Sequence, residues 1–330
     1  MSKIRMAQYG TKHGHAEGVL SVMLANTDVE VAGVYEPDLE RRLELQSTGI
    51  APWSKIEWFE DKSDLLEDNS IVAVSSEGSN MESLEHTEQI IDAGKHVFYD
   101  KPAGDDYSRF QQIVQTARKK KLLVQLGYMF RYHDGFTKIA NWARTGFLGD
   151  IFAIRAHMST TVDRLSQSSL QDYPIGGIFY DLGAHMVDQM VWILGRPNKV
   201  TSFLREDFIK TNGFANNTLG VFEYDNSLAI IDIASMEPAP PARRFEVYGS
   251  VGSAIMEPME PAETLKLTLT EPRGNYPIGV SVVNLEARPR YVASLKAFVK
   301  DIKGEKEPDW SLEHELLVQE TLLRATGHIT

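Results

Sequence analysis

Apolar residues in the first 125 positions fall into short unbroken runs, separated by stretches with a period near 3.6. The runs IRMAQY (4–9), VEVAGVYE (29–36), IVAVSS (71–76), HVFYD (96–100) and LLVQLGYM (122–129) read as strands. Near-continuous apolarity marks strands covered on both faces. Residues 15–26 carry an apolar stripe of Val19, Leu20, Met23 and Leu24, which predicts a helix. Further helices are expected from Asp38, over 82–93 up to Gly94, and over 106–120, with a weak strand near Trp58–Phe59. This alternation of strand and helix predicts a parallel, doubly wound sheet.

The pattern then changes. After a helix around 134–145, strand-like segments dominate: 150–158, 199–206, 218–224, 227–235, 243–249 and 264–270. Helices are expected at 181–194, 287–303 and 311–326. VFEYDNSLAIIDI has hairpin spacing with Asp225-Asn226 as its turn, which points to an antiparallel sheet. Two domains follow, 1–125 and 126–330. The polar, aperiodic stretch 159–174 reads as a functional loop.

Composition narrows the function classes. At 330 residues the chain has room for two domains. A formal net charge of −12 lacks the positive field that holds phosphate backbones, which argues against nucleic acid. The local RKKK at 118–121 reads as a helix end, where cations meet the negative pole of the dipole. There is no cysteine, so thiolate catalysis and disulfides are excluded. No run of about 18 apolar residues predicts a membrane span. MSKIRMAQYG enters strand-like sequence without a leader, and a cytoplasmic location is expected.

Chemistry concentrates in three places. AQYGTKHGHAEG joins the first strand to the first helix, with Gly10, Thr11, Lys12, His13 and Gly14 where a phosphate-binding turn would lie. The strict G-x-G-x-x-G fails, because Lys12 takes the second glycine position and His15 the third. The plain alternative is an ordinary strand–helix turn. Glu36, closing the second strand, stands where an acid accepts from adenosine ribose hydroxyls and repels a 2′-phosphate, which favours NAD over NADP. Arg41 and Arg42 soften that preference, since either can reach a phosphate.

In the second place, GKHVFYDKPAGDD (94–106), an apolar strand delivers Asp100 and Lys101 to its carboxyl end and stops at Pro102. Parallel strands carry chemistry at such ends. The third is PIGGIFYDLGAHMVDQMVWILGRP (174–197), where Asp181, His185 and Asp188 fall at i, i+4 and i+7 on one helical face. They suit acid–base work or a metal, or a capping aspartate beside an interior histidine; no metal is expected, and Asp188 is free to pair with an arginine. Tyr128, Phe130, Tyr132, Tyr180 and Trp192 read as core, with Tyr180 able to face a substrate. His13, His15, His86 and His157 carry no special reading as imidazoles.

Together these segments resemble the glucose–fructose oxidoreductase/inositol dehydrogenase/MocA family over essentially the whole length. SLEHTEQIIDAGKHVFYDKPAG is similar to the family's strand ending in Glu-Lys-Pro, with Asp100 in place of the glutamate. LGYMFRYHDGFTKIANWARTGFLGDI is similar to the segment entering the second domain, and GGIFYDLGAHMVDQMVWILGRP to the Asp-x-x-x-His helix. The resemblance implies an α/β protein: an N-terminal Rossmann-type parallel sheet and a C-terminal α+β domain with a large, mostly antiparallel open sheet. It implies Lys101, Asp181 and His185 as catalytic residues, with Arg131 near cofactor or substrate. It also implies Ser75 and Asp100 beside the nicotinamide, NAD as cofactor, and a sugar, inositol or polyol hydroxyl, or the matching ketone, as substrate. A homodimer or homotetramer formed through the open sheet is expected. The departures at Lys12, at SSEGSN (75–80) and at Asp100 leave two other readings: a silent dinucleotide sensor, or an NAD-using lyase or glycosidase.

Overall fold

The computed structural model describes residues 3–162, 175–207 and 213–330. Two compact units divide the chain: residues 1–128 with 289–316, and residues 129–288 with 317–330.

The first unit is built on a five-stranded, all-parallel sheet. Its strands are β1 (Ile4–Tyr9), β2 (Val29–Tyr35), β3 (Ala73–Ser76), β4 (His96–Tyr99) and β5 (Val124–Leu126), in the order β2-β1-β3-β4-β5. The weak strand expected near Trp58 is a single parallel bridge to Val34, held by Val34 N–H to Glu57 O and Phe59 N–H to Val34 O, both 2.9 Å. With it beside β2, the order becomes that of the dinucleotide fold, and the strand order reverses between β1 and β3. Helices α1 (Ala16–Ala25), α2 (Leu39–Ser47), α3 (Lys62–Leu66), α4 (Ser83–Asp92) and α5 (Tyr107–Lys120) connect the strands. Met6, Val34, Val74, Val97 and Phe98 are fully buried, as strands covered on both faces must be.

Residues 289–316 belong to this unit, whereas the sequence reading gives everything after 125 to the second domain. The reason is packing. The Phe298 ring meets Phe98 edge-on at 5.7 Å. Gln125 donates to Ser294 O at 3.3 Å, and the Glu315 carboxylate accepts from Leu126 N–H at 3.1 Å.

The second unit holds an eight-stranded sheet: β6 (Ile151–His157), β7 (Lys199–Arg205), β8 (Asn217–Glu223), β9 (Leu228–Ala234), β10 (Arg244–Gly249), β11 (Gly252–Met256), β12 (Thr264–Leu269) and β13 (Gly279–Asn284). The order is β13-β12-β11-β10-β6-β9-β8-β7. All pairs are antiparallel except β6 with β9. Strands β11 and β13 are additions to the sequence reading. One face buries Phe222, Ile231, Phe245, Val247, Leu265 and Leu267. Helices α6 (Asp134–Arg144) and α7 (Ala184–Leu194) bury Phe136, Ile139, Met186 and Met190 in the same unit, and Phe136 packs 4.9 Å from Phe245. Helices α8 (Val292–Ile302) and α9 (Leu312–Ala325) complete the chain. Of the loop expected at 159–174, residues 163–174 lie outside the described residues.

Candidate functional site

At the end of β1, Gly10 turns the chain with φ of +86°. A β-carbon there would stand 2.7 Å from Gly78 N and 2.9 Å from the Glu77 carbonyl carbon, so this turn requires glycine. His13 N–H to Glu77 O (3.0 Å) pins the loop against the residue that follows β3. Helix α1 then starts with no side chain capping its first turn, and a β-carbon at Gly14 would meet nothing within 4 Å. An uncapped helix start behind an open glycine is a seat for a pyrophosphate.

Lys12 does not point idly outward. Its Nζ lies 2.9 Å from Glu82 and 3.1 Å from Asp38, and the Glu82 hydrogen bond raises its pKa above the ordinary lysine value. Glu36 is buried, accepting from the Thr11 hydroxyl at 2.7 Å and from Asp38 N–H at 2.9 Å. The two nearby arginines are engaged elsewhere. Arg41 bonds Glu44, while Arg42 donates to Phe59 O and to Glu60.

Beside the loop, the ends of β3 and β4 bring two carboxyl groups together. Ser75 donates to Glu77 Oε1 at 2.6 Å, and Lys101 N–H donates to Asp100 Oδ1 at 2.7 Å. Nδ1 of His13 and Nδ1 of His15 each stand 3.1 Å from Asp100 Oδ2, and Glu77 Oε2 is 4.0 Å from His13 Nδ1. Burial, and then the neighbouring Asp100 charge, push the Glu77 carboxyl well above the usual range. Burial opposes ionisation of Asp100 too, yet the His13 and His15 contacts hold it well below. Lys101 is buried at the end of β4, and its bond to Pro102 is cis. His15 and Glu77 were absent from the expected set. Glu77 directly follows a strand, which is a signal, but nothing in linear order makes it the neighbour of Asp100.

In the second unit, Gly176 and Gly177 precede the expected helix. A β-carbon on Gly177 would lie 2.3 Å from Ala215 O, so the pair lets the backbone pass. Residues Phe179–Gly183 form a π turn, and α7 continues from Ala184. A π turn closes its backbone bonds one residue later than an α-helix does. Asp181 is half-buried, while Tyr180 and His185 are buried. Phe130 meets the His185 ring edge-on at 5.3 Å. Arg131, fully buried, grips Asp188 with Nε (3.0 Å) and Nη2 (2.7 Å). This pairing takes Asp188 away from the helical triad that the spacing suggested. Trp192 and Tyr132 are half-buried, and Tyr128 and Phe130 are core. The expected residues thus fall into two groups: Gly10 to Gly14, Glu36, Ser75, Asp100 and Lys101 in the first unit, and Arg131, Tyr180, Asp181 and His185 in the second.

Among the described residues, no helix is long and apolar enough to cross a membrane. Residues 6–128 match the model of an oxidoreductase family with an NAD-binding Rossmann fold, and residues 136–255 match the GFO/IDH/MocA C-terminal domain. Myo-inositol 2-dehydrogenase of Thermotoga maritima is 25% identical over 258 residues, 76% of this chain and 75% of that one. An uncharacterized oxidoreductase of Schizosaccharomyces pombe, C26H5.09c, is 26% identical over 176 residues, 52% of this chain. The chain spans 47% of that relative's length. UDP-N-acetylglucosamine 3-dehydrogenase GnnA from Acidithiobacillus ferrooxidans shares the fold, with a TM-score of 0.80 at 18% identity, covering 100% of this chain and 98% of that one. With both halves matched in order, the chain belongs to the GFO/IDH/MocA oxidoreductase family.

Proposed function

We propose that this protein is an NAD-dependent dehydrogenase that oxidises a hydroxyl of a sugar, inositol or related polyol, or reduces the matching ketone. The observation that carries the reading is the buried Lys101 at the carboxyl end of β4, in the same sheet edge as the Gly10 turn and the uncapped start of α1. When bound, the nicotinamide supplies the hydride acceptor or donor. Gly10, Thr11, His13 and Gly14 would hold the pyrophosphate, and Glu36 the adenosine ribose. Ser75 and Asp100 would flank the nicotinamide ribose. Lys101 then holds the reacting oxygen and lowers the cost of negative charge on it. His185 takes the hydroxyl proton or returns it. Asp181 and Tyr180 orient the substrate, and Arg131 acts through Asp188 as a positioning residue. Glu36 is buried and acidic while Arg41 and Arg42 are tied to other partners, which supports NAD over NADP.

The outer face of the eight-stranded sheet exposes Phe203, Leu228, Val280 and Val282, and we read it as the seat of a second copy. The test of function is a panel of sugars and polyols with NAD and, separately, NADP, read as absorbance of the reduced cofactor. Turnover with NAD on at least one polyol is expected. His185→Ala should lower it about 10²–10⁴-fold while leaving NAD affinity, measured by calorimetry, unchanged. Absence of NAD binding at millimolar concentration would refute the reading. The lock of Lys12 between Asp38 and Glu82 favours the sensor reading, which predicts NAD binding without turnover on any substrate.

A further inference from the structure

Two imidazoles and a carboxylate converge at the mouth of the first unit. The donor atoms of His13, His15 and Asp100 all lie within 4.8 Å of one another. Both Nδ1 atoms stand 3.1 Å from Asp100 Oδ2. A tetrahedral ion with ligand bonds of about 2.0–2.1 Å has ligand–ligand edges of roughly 3.3–3.4 Å, close to both 3.1 Å imidazole–carboxylate separations. We propose that His13, His15 and Asp100 bind one divalent transition-metal ion of the zinc or cobalt class.

Four observations support the site beyond the donor set. Asp100 is held in place from behind, because Lys101 N–H fixes its Oδ1 at 2.7 Å. Backbone bonds fix the elements that carry the donors: His13 N–H to Glu77 O at 3.0 Å, and Asp100 N–H to Ser76 O at 3.2 Å. Glu77 is fully buried, and its Oε2 meets no hydrogen-bond donor while facing His13 Nδ1 at 4.0 Å. It lines the inner side of the cluster. His15 retains 22% side-chain exposure, which leaves an entry path and an open coordination position. Two nitrogens with one oxygen suit zinc, cobalt, nickel or ferrous iron, and not magnesium or calcium, which demand oxygen shells. The site shares His13 and Asp100 with the proposed cofactor cradle, so metal and NAD would compete for it, and metal binding is read without NAD.

The experiment uses the full chain without an affinity tag, stripped of metal and free of NAD. Cobalt(II) is titrated and read by its visible ligand-field bands, and zinc(II) by calorimetry. One ion per chain is expected, with the intense bands of a tetrahedral site. His13→Ala and His15→Gln should each weaken binding by more than about 100-fold, beyond the 10–100-fold cost of losing a supporting residue. His314→Ala, elsewhere in the unit, should leave it unchanged. The partly exposed His15 keeps at least one variant foldable, and the wild-type stoichiometry is read separately from the variants. Failure of the wild-type chain to bind one equivalent overturns the site, as does wild-type affinity in both histidine variants. Either result would make the cluster a set of imidazole–carboxylate hydrogen bonds only.

Discussion

His86 shows at the scale of one side chain what burial does to a titration. It stacks on Tyr9 with ring centroids 4.2 Å apart, is 7% exposed, and has no hydrogen-bond partner for Nδ1. Burial lowers its pKa to about 4. The unfolded chain protonates this group near its ordinary 6.5, and the folded chain refuses the proton until about 4. Stability from this group is therefore complete above pH 6.5 and falls as the pH drops from 6.5 to 4, by about 3 kcal/mol in all. His86→Phe keeps the stack and should flatten that part of the acid limb; thermal midpoints of both proteins at pH 7 and pH 4.5 measure it. The candidate residues were legible here because strand ends are legible. Gly10, Glu36, Asp100 and Lys101 each follow a run of apolar positions. Their partners were not, since Lys12 meets Asp38 and Glu82 only after two crossovers have folded.

At the scale of elements, α7 and the segment after β5 are joined by one buried ion pair. Arg131 and Asp188 have side-chain exposures of 1% and 0%. Breaking such a pair strands a charge away from water and costs about 3–5 kcal/mol. Urea unfolding of Arg131→Ala should show that loss, and Arg131→Met combined with Asp188→Leu should recover most of it. The helix stripe in the sequence located this element correctly and put Asp188 near an arginine. It did not reveal the π turn over Phe179–Gly183, because one extra residue per turn leaves no compositional mark. Strand β13 escaped notice for a related reason: Val280 and Val282 lie on its open face at 64% and 70% exposure, so its apolar residues do not report burial. Strand β11 is short and opens on a glycine.

For the whole molecule, the second unit's sheet is two antiparallel meanders, β7-β8-β9 and β10-β11-β12-β13, with β6 set between them. Ile154 of β6 pairs with Ala229 on one side and Val247 on the other, and is fully buried. Ile154→Ala should cost about 2–5 kcal/mol, and amide exchange in β9 and β10 should accelerate together. A variant in which only one of the two strands exchanges faster would show that β6 does not couple them. The meanders were visible as hairpin spacing; the insertion of β6 was not, because its partners lie far along the chain.

The return of residues 289–316 to the first unit has a consequence during synthesis. The stretch 1–128 leaves the ribosome first, yet Phe298 and Ser294, which cover Phe98 and Gln125, follow only after residues 129–288 have been made. At roughly 5–20 residues per second, that delay is about 8–30 s. For that interval the nascent nucleotide-binding half carries an uncovered apolar face. A premature stop just before residue 289 would injure the half that was translated earlier.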